Sequence, residues 1–120
     1  MAIESFIANS ADIKDLGLGV SFKVQKDGRI WSAFVIRFEG KALCYLDACA
    51  HVGLRLNRDT NQFFGDKTEY LLCRSHGAIY DAASGLCTDG PCVGFSLISL
   101  TISEREGCIY YKDDIYQRVN

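Results

Sequence analysis

Residues 20–46 read VSFKVQKDGRIWSAFVIRFEGKALCYL, and this stretch decides the fold class. Every second residue from Val20 to Val24 is apolar, and the run stops at Asp27-Gly28, a strong hairpin signal between strand-like segments. Residues 30–38 are rich in β-branched and aromatic side chains, as strands prefer. A second turn separates them from residues 42–46, which we predict to return as a strand. This pattern indicates antiparallel β-strands joined by hairpin turns.

The same two-residue period extends through most of the chain. Residues 97–102 predict another strand, residues 104–107 a turn, and residues 108–111 a returning strand. The short segment 10–16 has a helical pattern. Because alternation dominates, the sequence predicts an all-β fold with antiparallel pairing.

Length and composition exclude several classes of protein. The chain has 120 residues, which predicts one domain over residues 1–120, and 48% hydrophobic against 23% charged residues is typical of a globular protein. Thirteen basic and 15 acidic side chains leave a net charge of −2, so we expect neither a nucleic-acid nor a membrane partner. An N-terminus without a secretory signal pattern predicts a cytoplasmic location, where cysteines are more often metal ligands, reactive thiols or core residues than disulfides.

Residues 47–94 differ in composition from the flanking strands. They hold six of the eleven glycines, four of the six cysteines, the proline and both histidines. Loops carried on a rigid scaffold are where binding sites are commonly built. We therefore expect the functional site in this region.

Both histidines closely follow a cysteine, in Cys49-Ala50-His51 and in Cys73-Arg74-Ser75-His76. Each segment supplies one thiolate and one imidazole, which together make a four-ligand set of two sulfurs and two nitrogens. Ordinary core packing explains two matched pairs poorly. Structural zinc also takes such a set, although zinc fingers usually draw two cysteines from one loop and two histidines from the other.

The segments around these pairs resemble the two boxes of Rieske iron–sulfur proteins. Residues 49–56, CAHVGLRL, fit C-x-H-x-G-x-x-L, and residues 73–81, CRSHGAIYD, fit C-x-x-H-G-x-x-[YF]-D. Gly90-Pro91 falls where that family carries a proline-containing loop. The resemblance covers residues 20–111, with residues 57–69 as an enlarged loop between the boxes.

The resemblance implies a Rieske-type antiparallel β-sandwich with a small cluster-binding subdomain of two loops at about residues 47–94. It implies one [2Fe–2S] cluster per chain, in which Cys49 and Cys73 hold one iron and His51 and His76 hold the other. It also implies that Tyr80, Gly77 and Pro91 surround these ligands, with the Tyr80 phenol donating to a ligand cysteine sulfur.

The ligand set bears on the reduction potential. Two ferric irons, two sulfides and two thiolates sum to zero charge, whereas four thiolates would leave −2, so histidine ligation makes the centre easier to reduce. Respiratory Rieske proteins carry a disulfide at the positions of Leu54 and Ser75 here, and a serine donor at the position of Ala78. Because this chain lacks both the disulfide and the serine donor, we expect a low-to-intermediate reduction potential, below that of the respiratory proteins.

The family resemblance implies an electron carrier rather than an enzyme. The expected partners are a flavin-dependent reductase and a terminal oxidoreductase such as a ring-hydroxylating oxygenase, and the expected state is a monomer or a weak oligomer. Two alternatives stay open at this point, the small subunit of a nitrite reductase and a non-redox zinc-binding module.

The other cysteines fall into two groups. Cys44 and Cys108 lie in strand-like runs and are interpreted as small core residues. Cys87 and Cys92 flank the proline loop and could approach each other. The sequence leaves open whether they form a disulfide.

Overall fold

The computed structural model describes residues 4–50, 55–56, 60–65, 68–74 and 77–119. Its regular structure is almost entirely antiparallel strand, which confirms the predicted fold class. One turn of 3₁₀ helix, Ser10–Asp12, lies between the first two strands. The strands in the described part of the chain are β1 (Ser5–Asn9), β2 (Val20–Lys26), β3 (Arg29–Phe38), β4 (Lys41–Leu46), β5 (Tyr70–Leu72), β6 (Ile79–Asp81), β7 (Cys87–Asp89), β8 (Ile102–Arg105), β9 (Cys108–Tyr111) and β10 (Gln117–Val119).

The central sheet has the strand order β10-β2-β3-β4 and contains the two predicted hairpins. Asp27 and Gly28 both have positive φ, as do Glu39 and Gly40. Two consecutive left-handed residues match the right-handed twist of the flanking strands, so tight turns form at both positions. The sequence placed these two turns correctly.

The central sheet is covered on both faces, and β3 shows why. Ala33 and Val35 point into a core shared with the sheet β1-β9-β8, whereas Phe34 and Ile36 point into a second core. That second core contains side chains of the small sheet β5-β6-β7. Alternate residues of one strand therefore anchor the scaffold on one side and the region of the predicted site on the other.

Two of the secondary-structure predictions were wrong. Residues 97–101 form no continuous ladder, because their backbone bonds are divided among β4, Gly85 and Lys112, and β8 begins only at Ile102. The predicted helix over residues 10–16 is reduced to one 3₁₀ turn. The Leu16 amide bonds to a β3 carbonyl instead of continuing the helix.

Among the described residues, no helix has the length and apolar character needed to cross a membrane.

Candidate metal centre

The first loop of the site leaves β4 at Asp47 and is closed by that side chain. The buried Asp47 carboxylate accepts the Leu56 amide at 2.7 Å and the Arg55 Nε at 2.8 Å. Burial raises the pKa of Asp47, while Arg55 and the Leu56 amide offset part of that rise. The two ends of the segment that contains Cys49 are thereby joined.

Sequence reasoning missed Asp47. The available signal was an acidic residue directly after a buried strand with Arg55 eight residues later, which does not by itself indicate a loop-closing contact. Its position in the structure gives it the role of a positioning residue for the first loop.

The second loop is the tip of the β5–β6 hairpin. The Cys73 amide donates to the Ala78 carbonyl at 2.9 Å, and the Gly77 amide donates back to the Cys73 carbonyl at 2.8 Å. Gly77 has a φ of 72°, a conformation that favours glycine. The Arg74 amide donates to the Leu56 carbonyl at 2.9 Å, which joins the second loop to the first.

The two predicted cysteine ligands are both buried in one core. Cys49 is 1% exposed and Cys73 is 0% exposed. The Tyr80 hydroxyl lies 3.1 Å from the Cys49 Sγ and accepts the Ala50 amide at 2.9 Å. The sequence predicted that this phenol contacts the sulfur of a ligand cysteine, and the structure places it beside Cys49, whose role as a ligand stays a prediction.

The Tyr80 phenol is held in its neutral form. Burial, followed by its contacts with the sulfurs of Cys49 and Cys92, raises the pKa of Tyr80 well above its usual range. A neutral phenol has one proton to donate and two lone pairs to accept with. Since the Ala50 amide occupies a lone pair, the hydroxyl proton is available for a sulfur.

A third loop, residues 90–94, covers the hairpin tip. Gly90 has a φ of 98°, and a Cβ atom there would lie 2.8 Å from the Ala78 Cα. Cys92 is buried beneath this loop with its Sγ 3.1 Å from the Tyr80 hydroxyl, whereas Pro91 is exposed. The loop is therefore packed closely against the second box, and the roles assigned to Gly77 and Pro91 stay predictions.

The contact between Gly90 and Ala78 gives a test of this packing. Gly90→Ala is expected to lower the free energy of unfolding by roughly 1–3 kcal/mol more than Gly94→Ala, because the new methyl group has no space. Gly94 has a φ of 94° and nothing within 4 Å of its Cβ position, so it matches the backbone strain without the clash. Urea unfolding of both variants measures the difference, and equal losses would contradict close packing of the loop.

The imidazole half of the predicted ligand set lies outside the described residues, since neither His51 nor His76 is among them. The thiolate half fits an iron–sulfur centre. Two soft cysteine sulfurs are buried on two joined loops, and a phenol is positioned to donate to one of them. The chemistry of the described residues therefore agrees with the proposed cofactor.

Part of the predicted enlarged loop is anchored in the core. Phe63 stacks on Phe34 with ring centroids 3.9 Å apart, and Phe64 is also buried. The Asn61 carbonyl accepts the Gly19 amide at 2.7 Å. Sequence reasoning treated residues 57–69 as loop and missed these contacts.

The fold and the site together define a small antiparallel β protein in which two joined loops bring buried cysteine sulfurs into one core. Comparison with known families makes the assignment specific. The chain belongs to the Rieske [2Fe-2S] domain family, whose model matches residues 6–99 and which binds a [2Fe–2S] cluster. The resemblance read from the two boxes is confirmed. No curated protein matches the chain.

Solved structures share the fold across nearly the whole chain. One is the ferredoxin of carbazole 1,9a-dioxygenase from Nocardioides aromaticivorans IC177, with a TM-score of 0.70, 18% identity, and coverage of 94% of this chain and 100% of that one. Another is the Sphingomonas yanoikuyae B1 ferredoxin, with a TM-score of 0.67, 19% identity, and coverage of 92% and 99%. A third, from a complex of reduced oxygenase and oxidized ferredoxin in carbazole 1,9a-dioxygenase, has a TM-score of 0.69, 18% identity, and coverage of 100% and 99%.

Proposed function

We propose that this protein is a one-electron carrier, with Cys49 and Cys73 as ligands of one iron and His51 and His76 as ligands of the other. When bound, the [2Fe–2S] cluster supplies reversible one-electron oxidation and reduction. The observation that carries the proposal is the Tyr80 hydroxyl on the buried Cys49 sulfur at 3.1 Å. Hydrogen bonds to ligand sulfur tune a redox centre, and membership of a family that binds a [2Fe–2S] cluster favours this centre over structural zinc.

The protein's own residues hold the ligands and adjust their charge. Asp47 closes the first loop, and the bond from Arg74 to Leu56 fixes the second loop against it. Tyr80 donates to Cys49 and so favours the form in which the sulfur carries more negative charge. We infer that residues 47–94 act as a cluster-binding unit within a single domain of residues 1–120.

The proposed partners are a flavin-dependent reductase that supplies the electron and a ring-hydroxylating oxygenase that receives it. Ferredoxins of carbazole 1,9a-dioxygenase share the fold, and one was solved in complex with its oxygenase. A carrier needs only a small and transient contact with each partner. The cytoplasmic location and the monomeric or weakly oligomeric state stay predictions.

Anaerobic purification followed by iron and labile-sulfide assays tests the proposed function directly. We expect two irons and two sulfides per chain, a reddish-brown colour, and bleaching by dithionite. The reduced protein should then be reoxidised by the oxygenase component of a ring-hydroxylating system. A colourless protein that contains zinc would overturn the proposal and favour a zinc module, and reoxidation by a nitrite reductase alone would favour the other alternative.

Tyr80→Phe is expected to lower the reduction potential of the cluster. If the lost hydrogen bond is stronger in the reduced state by about 1.4 kcal/mol, the one-electron potential falls by roughly 60 mV. Spectroelectrochemical titration measures this shift. The control is Tyr45→Phe. Tyr45 lies in the same core, and its hydroxyl donates to the Ala82 carbonyl at 2.7 Å. Equal potentials in the two variants would remove Tyr80 from the site.

A further inference from the structure

Cys87, the first residue of β7, and Cys92, in the loop of residues 90–94, have adjacent side chains. Their Sγ atoms are 2.9 Å apart, and each residue is 1% exposed. The Cys87 amide donates to the Phe95 carbonyl at 2.8 Å, and the Gly94 amide donates to the Cys87 carbonyl at 3.4 Å. The backbone itself therefore holds the two thiols face to face.

This geometry is close to that of a covalent bond between the sulfurs. A disulfide has a sulfur–sulfur distance of about 2.05 Å, so closure needs a movement of less than about 1 Å. The chain between the two cysteines is already folded back, because Cys87 is bonded through its backbone to Gly94 and Phe95, just beyond Cys92. Its ordering consequently adds little to the cost of closing the bond.

We propose that Cys87 and Cys92 form a reversible dithiol–disulfide site, distinct from the cluster ligands, whose state alters the hydrogen bonding of Tyr80. The oxidant is a low-molecular-weight disulfide. One cysteine attacks it, releases one thiol and forms a mixed disulfide, and the second cysteine displaces the other thiol. Both cysteine protons leave with the two released thiols, and two electrons pass to the reagent.

The consequence for Tyr80 follows from counting protons. In the dithiol, the Cys87 thiol donates to the Asp89 carbonyl at 3.3 Å and the Cys92 thiol donates to the Cys87 sulfur at 2.9 Å. The Cys92 sulfur, 3.1 Å from the Tyr80 hydroxyl, can therefore accept the Tyr80 proton and competes for it with Cys49. In the disulfide, both thiol protons are gone and the Cys92 sulfur is a poorer acceptor, so the donation from Tyr80 to Cys49 is strengthened.

The exchange is expected to be slow. Burial raises the pKa of Cys87 to about 11, so its thiol is protonated at neutral pH and attacks only when the loop opens locally. The pair therefore responds to a lasting change in the surrounding thiol–disulfide balance. The effect on the cluster rests on the proposed function, whereas the covalent step does not.

The test uses the full-length protein equilibrated with glutathione buffers of increasing oxidised fraction, followed by alkylation in denaturant and trypsin digestion. Cleavage after Arg74 and Arg105 yields one peptide, residues 75–105, whose only cysteines are Cys87 and Cys92. We expect this peptide to resist alkylation and to be lighter by two hydrogen atoms in oxidising buffer, and dithiothreitol should reverse both changes. The tryptic peptide 42–55, which also has two cysteines, should stay fully alkylated.

Two results would overturn the site. They are full alkylation of peptide 75–105 in every buffer and a stable glutathione adduct on one cysteine. The Cys92→Ser variant is the control, and its peptide should never become lighter.

The second readout is the reduction potential of the cluster, which should be higher in the disulfide form than in the dithiol form. An identical potential in the two forms would refute the link to Tyr80 even where the disulfide forms. Because peptide masses do not depend on iron, absence of a cluster in the iron assay would reject the proposed function without deciding the thiol chemistry.

Discussion

Cys73→Ala is expected to remove all iron and labile sulfide from the protein, whereas Cys44→Ala retains the full content. Both cysteines are buried, Cys73 at the start of the hairpin tip and Cys44 in β4. Cys73 is in the core that contains Cys49 and Tyr80, while Cys44 points into the opposite core of the central sheet. The two variants therefore make the same chemical change on opposite faces of one scaffold.

The physical reason is the charge state that each sulfur must adopt. A cluster ligand has to be a thiolate. Burial raises the pKa of Cys44 far above its usual range, so this thiol stays neutral and acts as a small apolar side chain. Its truncation should cost about 1 kcal/mol of stability and leave metal content unchanged.

Iron and sulfide assays on anaerobically purified variants, with circular dichroism to show that the β fold persists, measure the outcome. Loss of the cluster in Cys44→Ala, or its retention in Cys73→Ala, would reverse the ligand assignment.

The scaffold could be predicted from sequence where the signals are local. Asp27-Gly28 and Glu39-Gly40 determine two hairpins, because their backbone conformation depends mainly on the turn residues themselves. Residues 97–102 also have a strand-like pattern, yet their backbone pairing is divided among Gly85, β4 and the end of β9. Pairing partners that are distant in sequence decide that outcome, and a single sequence does not reveal them.

The candidate site also combines features that local sequence signals predict with features that depend on tertiary packing. The spacing of cysteine and histidine in the boxes predicted the family, and Tyr80 at its position in the second box predicted a sulfur contact that the structure contains. Asp47 and the proximity of Cys92 to Tyr80 depend on how three loops pack together. These contacts arise from tertiary structure, so neither residue carried a distinctive signal in the sequence.

His51→Cys is expected to lower the reduction potential of the cluster by on the order of 100–300 mV. The neutral imidazole is replaced by a thiolate, so the oxidised centre changes from zero to −1 charge and becomes harder to reduce. Rieske centres lie at about −150 to +300 mV and centres with four thiolates at about −400 mV, and one substitution makes half of that change in charge. His51 lies outside the described residues, so this expectation depends on the ligand chemistry alone.

Spectroelectrochemical titration of His51→Cys measures the shift in reduction potential, which is then compared with the shift in Tyr80→Phe. Removal of one hydrogen bond should move the potential about two- to five-fold less than addition of one formal charge at the iron, because a hydrogen-bond donor carries only partial charge. A similar shift in both variants would mean that His51 acts on the cluster only from a distance. An unchanged potential together with an intact visible spectrum would exclude His51 as a ligand and require another residue of the chain to complete the set.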